Sequence, residues 1–121
     1  MKLPILLVAE ALEEAFPEVN WFVNQVEEEL QNNPIYPLGR IAQINGEYGS
    51  YASQNPNYLN TSVQVDLWVS NMEEASKYYF KLDEVMRADN VQCDYTEETQ
   101  DQDLKTGRRI IKRYTISQRV V

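Results

Sequence analysis

A chain of 121 residues, 43% hydrophobic and 25% charged, has the size and balance of one soluble globular domain with a single core. It holds no histidine and one cysteine, Cys93, which excludes a disulfide framework, the common zinc sites and every histidine-dependent acid–base or nucleophilic arrangement. The net charge of −8 argues against a general nucleic-acid binder. All 19 acids lie before residue 105, whereas Lys105, Arg108, Arg109, Lys112, Arg113 and Arg119 crowd the end, so an acidic body carries a basic last strand.

Lys2 ahead of the apolar run 3–9 resembles a secretory leader in outline. Pro4 and the acids Glu10, Glu13 and Glu14 fit a helix start and a polar helix face instead, and the expectation is a protein made and kept in a cytoplasm. No segment approaches the roughly 20 apolar residues of a membrane span. Ile5, Val8, Ala9, Leu12 and Phe16 fall on one stripe, predicting a helix from Pro4 to about Phe16 that Pro17 ends. Residues 18–33 admit two elements: an edge strand over Val19–Gln25, from the alternation of Val19, Trp21 and Val23, and a helical turn at Val26–Leu30. A strand is expected over Ile35–Ile44, firmest at Arg40–Ile44, with Pro34 and Pro37 favouring an edge position.

Residues 45–61 are expected to form a long loop. Asn45-Gly46 is a turn signal, and Gly49, Ser50, Ser53, Asn55, Pro56 and Asn57 interrupt regular structure. Tyr48, Tyr51 and Tyr58 stand in this loop, and tyrosine among Ser, Gly and Asn is the composition of adaptable contact surfaces.

The clearest unit follows. Val63, Val65, Leu67 and Val69 share one strand face, and Gln64, Asp66 and Trp68 share the other. Asn71 is placed to cap a helix with Glu73 and Glu74 in its first turn. Met72, Ala75, Tyr79, Leu82 and Met86, widened by Tyr78 and Val85, form its apolar stripe. Val91–Tyr95 alternates again, residues 96–106 are an acidic polar turn, and Gly107–Gln118 is a last strand. Its residues Ile110, Lys112, Tyr114 and Ile116 lie on one face, with Arg109, Ile111, Arg113 and Thr115 on the other. The order predicts a single α+β domain over 1–121: an antiparallel or mixed four- to five-stranded sheet with two helices packed on one face.

No constellation of residues calls for chemistry. The carboxylates at 27–29 and 97–103 read as solvated surface, and they lack the spacing of a calcium loop. Cys93 shares its strand face with Val91 and Tyr95, as a small buried hydrophobe does. The four glycines have no phosphate-loop spacing. Two readings stay open for the basic strand: its cations pair with the acidic body of their own chain or blunt an edge, or Arg109, Lys112 and Arg113 meet a partner. Trp68, opposite the valine face, is expected to face outward, either as a lone exposed aromatic or as an interface anchor. An acidic surface and a basic strand on one chain suit head-to-tail contacts that close into rings.

The layout resembles the tail terminator, or tail completion, proteins of long-tailed non-contractile phages. The resemblance rests on an N-terminal amphipathic helix, the lead-in PIYPLGRIAQI, a polar loop ending YASQNPNYLNTSVQVDLWV, the helix NMEEASKYYFKLDEVMRA and a closing strand pair. It implies a virion protein assembled in the host cytoplasm as a homo-oligomeric ring, six copies in that family. Such a ring caps the tail tube protein, offers a surface to the head–tail connector and lets DNA pass without specific binding. It further implies no enzyme activity and no cofactor, catalytic residue or metal. Trp68, Arg109, Lys112, Arg113, Tyr48, Tyr51 and Tyr58 would then be the subunit or partner contacts. Related proteins serve as minor tail proteins or neck proteins, so a head–tail connector or stopper of similar fold is the nearest alternative. A monomeric regulatory protein docking its basic strand on an acidic partner is the alternative of another class.

Overall fold

The computed structural model describes residues 2–32, 35–52, 55–89, 91–100 and 107–119, and side chains at 32, 49–52 and 55–57 lie outside that description. The element order is α1 (Pro4–Ala15), β1 (Asn20–Val23), α2 (Glu28–Asn32), β2 (Leu38–Ala52), β3 (Asn55–Val69), α3 (Met72–Ala88), β4 (Gln92–Gln100) and β5 (Arg108–Arg119). The five strands form one mixed sheet in the order β1-β2-β3-β5-β4, parallel only between β1 and β2. The architecture is therefore the expected α+β sheet, with three helices rather than two.

The main core lies between the sheet and the pair α1 and α3. The whole predicted stripe of α1, from Ile5 to Phe16, is buried there against Ile41, Val63, Val65 and Leu67. Helix α3 contributes Ala75, Tyr78, Leu82 and Met86, while Tyr79 and Val85 are half-buried. Met72, expected on the stripe, is 59% exposed, because it precedes the first turn that reaches the sheet. The cap forms as expected: the Glu74 backbone N–H donates to Asn71 Oδ1 at 2.8 Å. Phe16 meets Tyr78 edge to face at 5.6 Å, which ties the two helices together.

The edge strand expected over Val19–Gln25 is β1 at Asn20–Val23, and the helical turn expected at Val26–Leu30 falls two residues later, as α2 at Glu28–Asn32. Parallel neighbours need a crossover of about a dozen residues, and the described parts of that connection, 24–32 and 35–37, lie on the sheet face opposite α1 and α3. Asn24 starts the crossover at φ 71, a left-handed conformation that asparagine tolerates. Val26, Leu30 and Tyr36 then pack with Leu38, Phe22 and Trp68 in a second, smaller core. Gly39 is required where β1 meets β2, since a Cβ there would lie 2.2 Å from the Trp21 ring.

The expected loop at 45–61 is a correction. Strands β2 and β3 continue through it as one long hairpin, with Tyr48 opposite Leu59, Gly49 opposite Tyr58 and Tyr51 opposite Pro56. Asn45-Gly46 marks a register shift after Gln43, a bulge rather than a turn. This end of the sheet has water-exposed residues on both faces, so the apolar alternation that announces a strand elsewhere is not required of it. Strand β4 likewise runs on to Gln100, through part of the acidic stretch expected to be a turn; the rest, 101–106, lies outside the described residues.

Candidate functional site

The polar side chains of the central strands do not stand free. On the sheet face away from α1 and α3, Asp66 is fully buried in β3, beside Arg40 of β2 and near Arg109 of β5. Arg40 donates to Asp66 Oδ2 from Nε (3.2 Å) and Nη2 (2.8 Å). Arg109 donates to Oδ1 from Nε (3.1 Å) and Nη2 (2.8 Å), and Gln64 Nε2 reaches both oxygens at 3.2 Å. Charged hydrogen bonds on both oxygens are what allow a carboxylate to sit without water. Both guanidiniums lie over the Trp68 ring, at 5.6 Å for Arg40 and 5.3 Å for Arg109. Arg113, more exposed, donates from Nε to Gln64 Oε1 at 3.0 Å and stacks on Tyr95.

The facing side of β5 carries a second ionic cluster. Lys112 has no exposed surface; its Nζ donates to Asp83 Oδ2 at 2.8 Å and sits 3.7 Å from the centre of the Tyr79 ring. The Tyr114 hydroxyl donates to Asp83 Oδ1 at 2.9 Å, and burial, reinforced by the Asp83 charge, holds it well above the usual tyrosine range. At the end of the strand, Arg108 makes a two-point contact with Glu98 at 2.6 and 2.8 Å.

On the basic strand the structure shows pairing within the chain for Arg108, Arg109 and Lys112, while Arg113 is exposed and meets Gln64 and the Tyr95 ring. Arg108, Arg109 and Lys112 each neutralise an acid of their own body, and Lys112 presents no atom for another molecule to meet. Trp68 does lie opposite the valine face, but it is a correction: it is 7% exposed, roofed by the crossover between β1 and β2. Tyr48 and Tyr58 are exposed, at 52% and 41%, and the register turns them to opposite faces of the hairpin. The side chain of Tyr51 lies outside the described residues.

Sequence reasoning missed Arg40, Asp66 and Asp83 as members of these clusters. A signal existed for Asp66: an acid in the middle of a Val-rich central strand must be paired if it is buried. Asp83 gave none, since it reads as part of the polar face of α3.

The chain matches no protein-family model and no curated protein. Cys93 is half-buried, its thiol 3.1 Å from the Tyr95 carbonyl and pushed up by burial and then by Asp83, the opposite of an activated nucleophile. Among the described residues, no group of three or more Cys, Asp or Glu side chains is placed to hold a metal ion. The features that face outward are contact features. Strand β1 covers β2 only at Leu38–Ile41, so within the described residues the outer edge of β2 from Ala42 onward has no strand partner. Ile44 and Tyr48 are exposed along that stretch, and an open edge of this length is a template for association.

Proposed function

We propose that this chain is a structural protein of a long-tailed phage: a tail terminator that caps the tail tube as a ring and offers the joining surface to the head connector. The observation that carries the reading is the long β2–β3 hairpin with its open outer edge and exposed Tyr48 and Tyr58. Among the described residues the outer edge of β2 has no strand partner from Ala42 onward, and an open edge of that kind is suited to assembly. The N-terminal helix, the capped helix after β3 and the closing strand pair follow one another in the order the resemblance to terminators implies, whereas the hairpin stands where a polar loop was expected. The pairing of the β5 cations with their own chain weighs against the regulatory alternative, which needs those cations for a partner.

The test is binding to stacked tail tube protein. Purified chain is mixed with preformed tubes, pelleted and imaged by electron microscopy. Rings at tube ends that block further growth are the expected result. Absence of tube binding combined with capture by the head-side connector assigns the chain to the neck. Binding to neither refutes the phage tail reading.

A further inference from the structure

Around the bulge in β2 a polar group lies in the core and an apolar one lies in water. Thr61 of β3 is 1% exposed, yet its Oγ1 has no hydrogen-bond partner. A buried hydroxyl left unpaired costs stability. The residue opposite it on β2 is Gly46, which has no side chain to offer. Ile44, the extra residue of the bulge, is 48% exposed.

Before the bulge, Ile41 pairs with Val65 and Gln43 with Val63; beyond it, Asn45 meets Ser62 and Tyr48 meets Leu59. Were the first register to continue without a bulge, Ile44 would meet Ser62, Asn45 would meet Thr61, and Tyr48 would meet Tyr58. A slip of one residue sends each side chain beyond it to the other face. Asn45 then shares a face with Thr61, and its amide can pair with the orphaned hydroxyl. Gln43, the preceding residue on that face, is exposed, so this side of β2 also reaches water. The cross-strand pair Tyr48–Leu59 is exchanged for Tyr48–Tyr58, and two such pairs are of similar worth.

Little opposes the slip. Residues 43–48 are all exposed, and among the described residues this stretch has no strand partner but β3. Strand β3 need not move, because β5 holds it from Tyr58 to Val69. We propose that the arm of β2 beyond Gln43 is a two-register element. It exchanges the bulged ladder for a regular one in which Asn45 satisfies Thr61 and Tyr48 joins Tyr58 on the face away from α1 and α3. A strand that docks on the outer edge of β2 fixes one register, so docking there and the placement of Tyr48 are coupled. The exchange is a property of the isolated chain and is independent of the phage tail reading.

Disulfide trapping in a glutathione redox buffer reads the two registers, in a Cys93→Ala background with circular dichroism to confirm folding. Two cysteines bridge only when their Cβ atoms face each other. Tyr48→Cys with Leu59→Cys matches the bulged register, and Tyr48→Cys with Tyr58→Cys matches the regular one. Tyr48→Cys with Asn60→Cys matches neither and reports fraying. The first two pairs close and the third stays open. Gly46→Ser adds a hydroxyl opposite Thr61, where a Cβ lies in ordinary contact, 3.5 Å from Leu59 and 3.6 Å from Thr61 Oγ1. It slows closure of the pair at 48 and 58 by up to about tenfold, the size of one net hydrogen bond, and leaves the pair at 48 and 59 unchanged. Deleting Ile44 removes the bulge while keeping the residues beyond it on their present faces, so it abolishes closure at 48 and 58. A pair at 48 and 58 that stays open while the pair at 48 and 59 closes overturns the exchange. So does closure of all three pairs at one rate, or closure at 48 and 58 that survives deletion of Ile44.

Discussion

The buried pair Lys112–Asp83 gives a sharp test of how the sheet and α3 are joined, because its two members are unequally shielded. Lys112 has 0% of its side chain exposed and Asp83 has 19%. Asp83→Asn keeps the shape but leaves an ammonium in the core facing a neutral amide, with only the Tyr79 ring to stabilise it. Removing one partner of a buried pair costs about 3–5 kcal/mol, and the ring contact places this case near the lower end, about 3 kcal/mol. Lys112→Met instead leaves a carboxylate that reaches water and keeps the Tyr114 hydroxyl, so its cost is about 1–2 kcal/mol. At about 2.1 cal/mol/K per residue, 121 residues give an unfolding entropy of roughly 0.25 kcal/mol/K. The asparagine variant should then lose roughly 12 °C in Tm and the methionine variant roughly 4–8 °C. The double variant should cost clearly less than the two singles together, since no charge is left to strand. Calorimetry and urea titration of the four proteins measure this cycle. Additive costs, or a methionine variant worse than the asparagine variant, would refute the reasoning that a shielded ammonium governs this contact.

Three further outcomes follow from the geometry. Gly39→Ala forces a Cβ to within 2.2 Å of the Trp21 ring, so it should cost about 2 kcal/mol or more and shift Trp21 emission toward longer wavelength; an unchanged Tm would show that the ring can move aside. In Trp21→Phe, the remaining Trp68 should resist acrylamide quenching because the crossover roofs it, and quenching as fast as that of free tryptophan would place it outside the second core. Tyr78 and Tyr114 both have hydroxyls held above the ordinary tyrosine range by burial, helped by Glu18 and Asp83 respectively, so the fold keeps protons that the unfolded chain releases from about pH 10 upward. Their contribution is complete below that pH and is lost as pH rises beyond it. Urea midpoints should therefore fall steeply above about pH 10, and less steeply in Tyr114→Phe; identical slopes would refute the assignment.

How much of this was legible in the sequence depended on what each residue has to bury. The helix α1 stripe, the valine face of β3 and the α3 stripe were read directly, because one apolar face against one core leaves a period in the chain. The hairpin at 45–61 was not, because that part of the sheet faces water on both sides and its strands are held by each other's backbone, which leaves no period to read. Trp68 was assigned to the correct face and misjudged in exposure: alternation tells which side a residue takes and nothing about what a crossover lays over it. Among the polar residues, the facing of Lys112 and Arg109 was legible and their partners were not. Arg40 and Asp66 are 26 residues apart, and Arg109 and Asp66 are 43 apart, so only strand order brings them together.

The same pairings change what salt should do to assembly. With a free basic strand, an oligomer held by complementary patches would weaken steadily as salt rises. With Arg108, Arg109 and Lys112 engaged inside the chain, each copy presents a predominantly acidic exterior with a net charge of −8, and copies repel at long range. That repulsion acts over about 30 Å at 0.01 M salt but only about 8 Å at 0.15 M, whereas ion pairs formed directly across a contact act over a few ångströms. Association should therefore strengthen from about 0.01 to 0.15 M salt and weaken again toward 1 M, where the screening length is about 3 Å and local pairs are also lost. Sedimentation at fixed protein concentration across that range measures the curve. A monotonic fall from the lowest salt would mean that free positive charge dominates the contact, which the engaged cations of β5 do not supply. A monotonic rise would mean that the contact is apolar and that ion pairs add nothing to it.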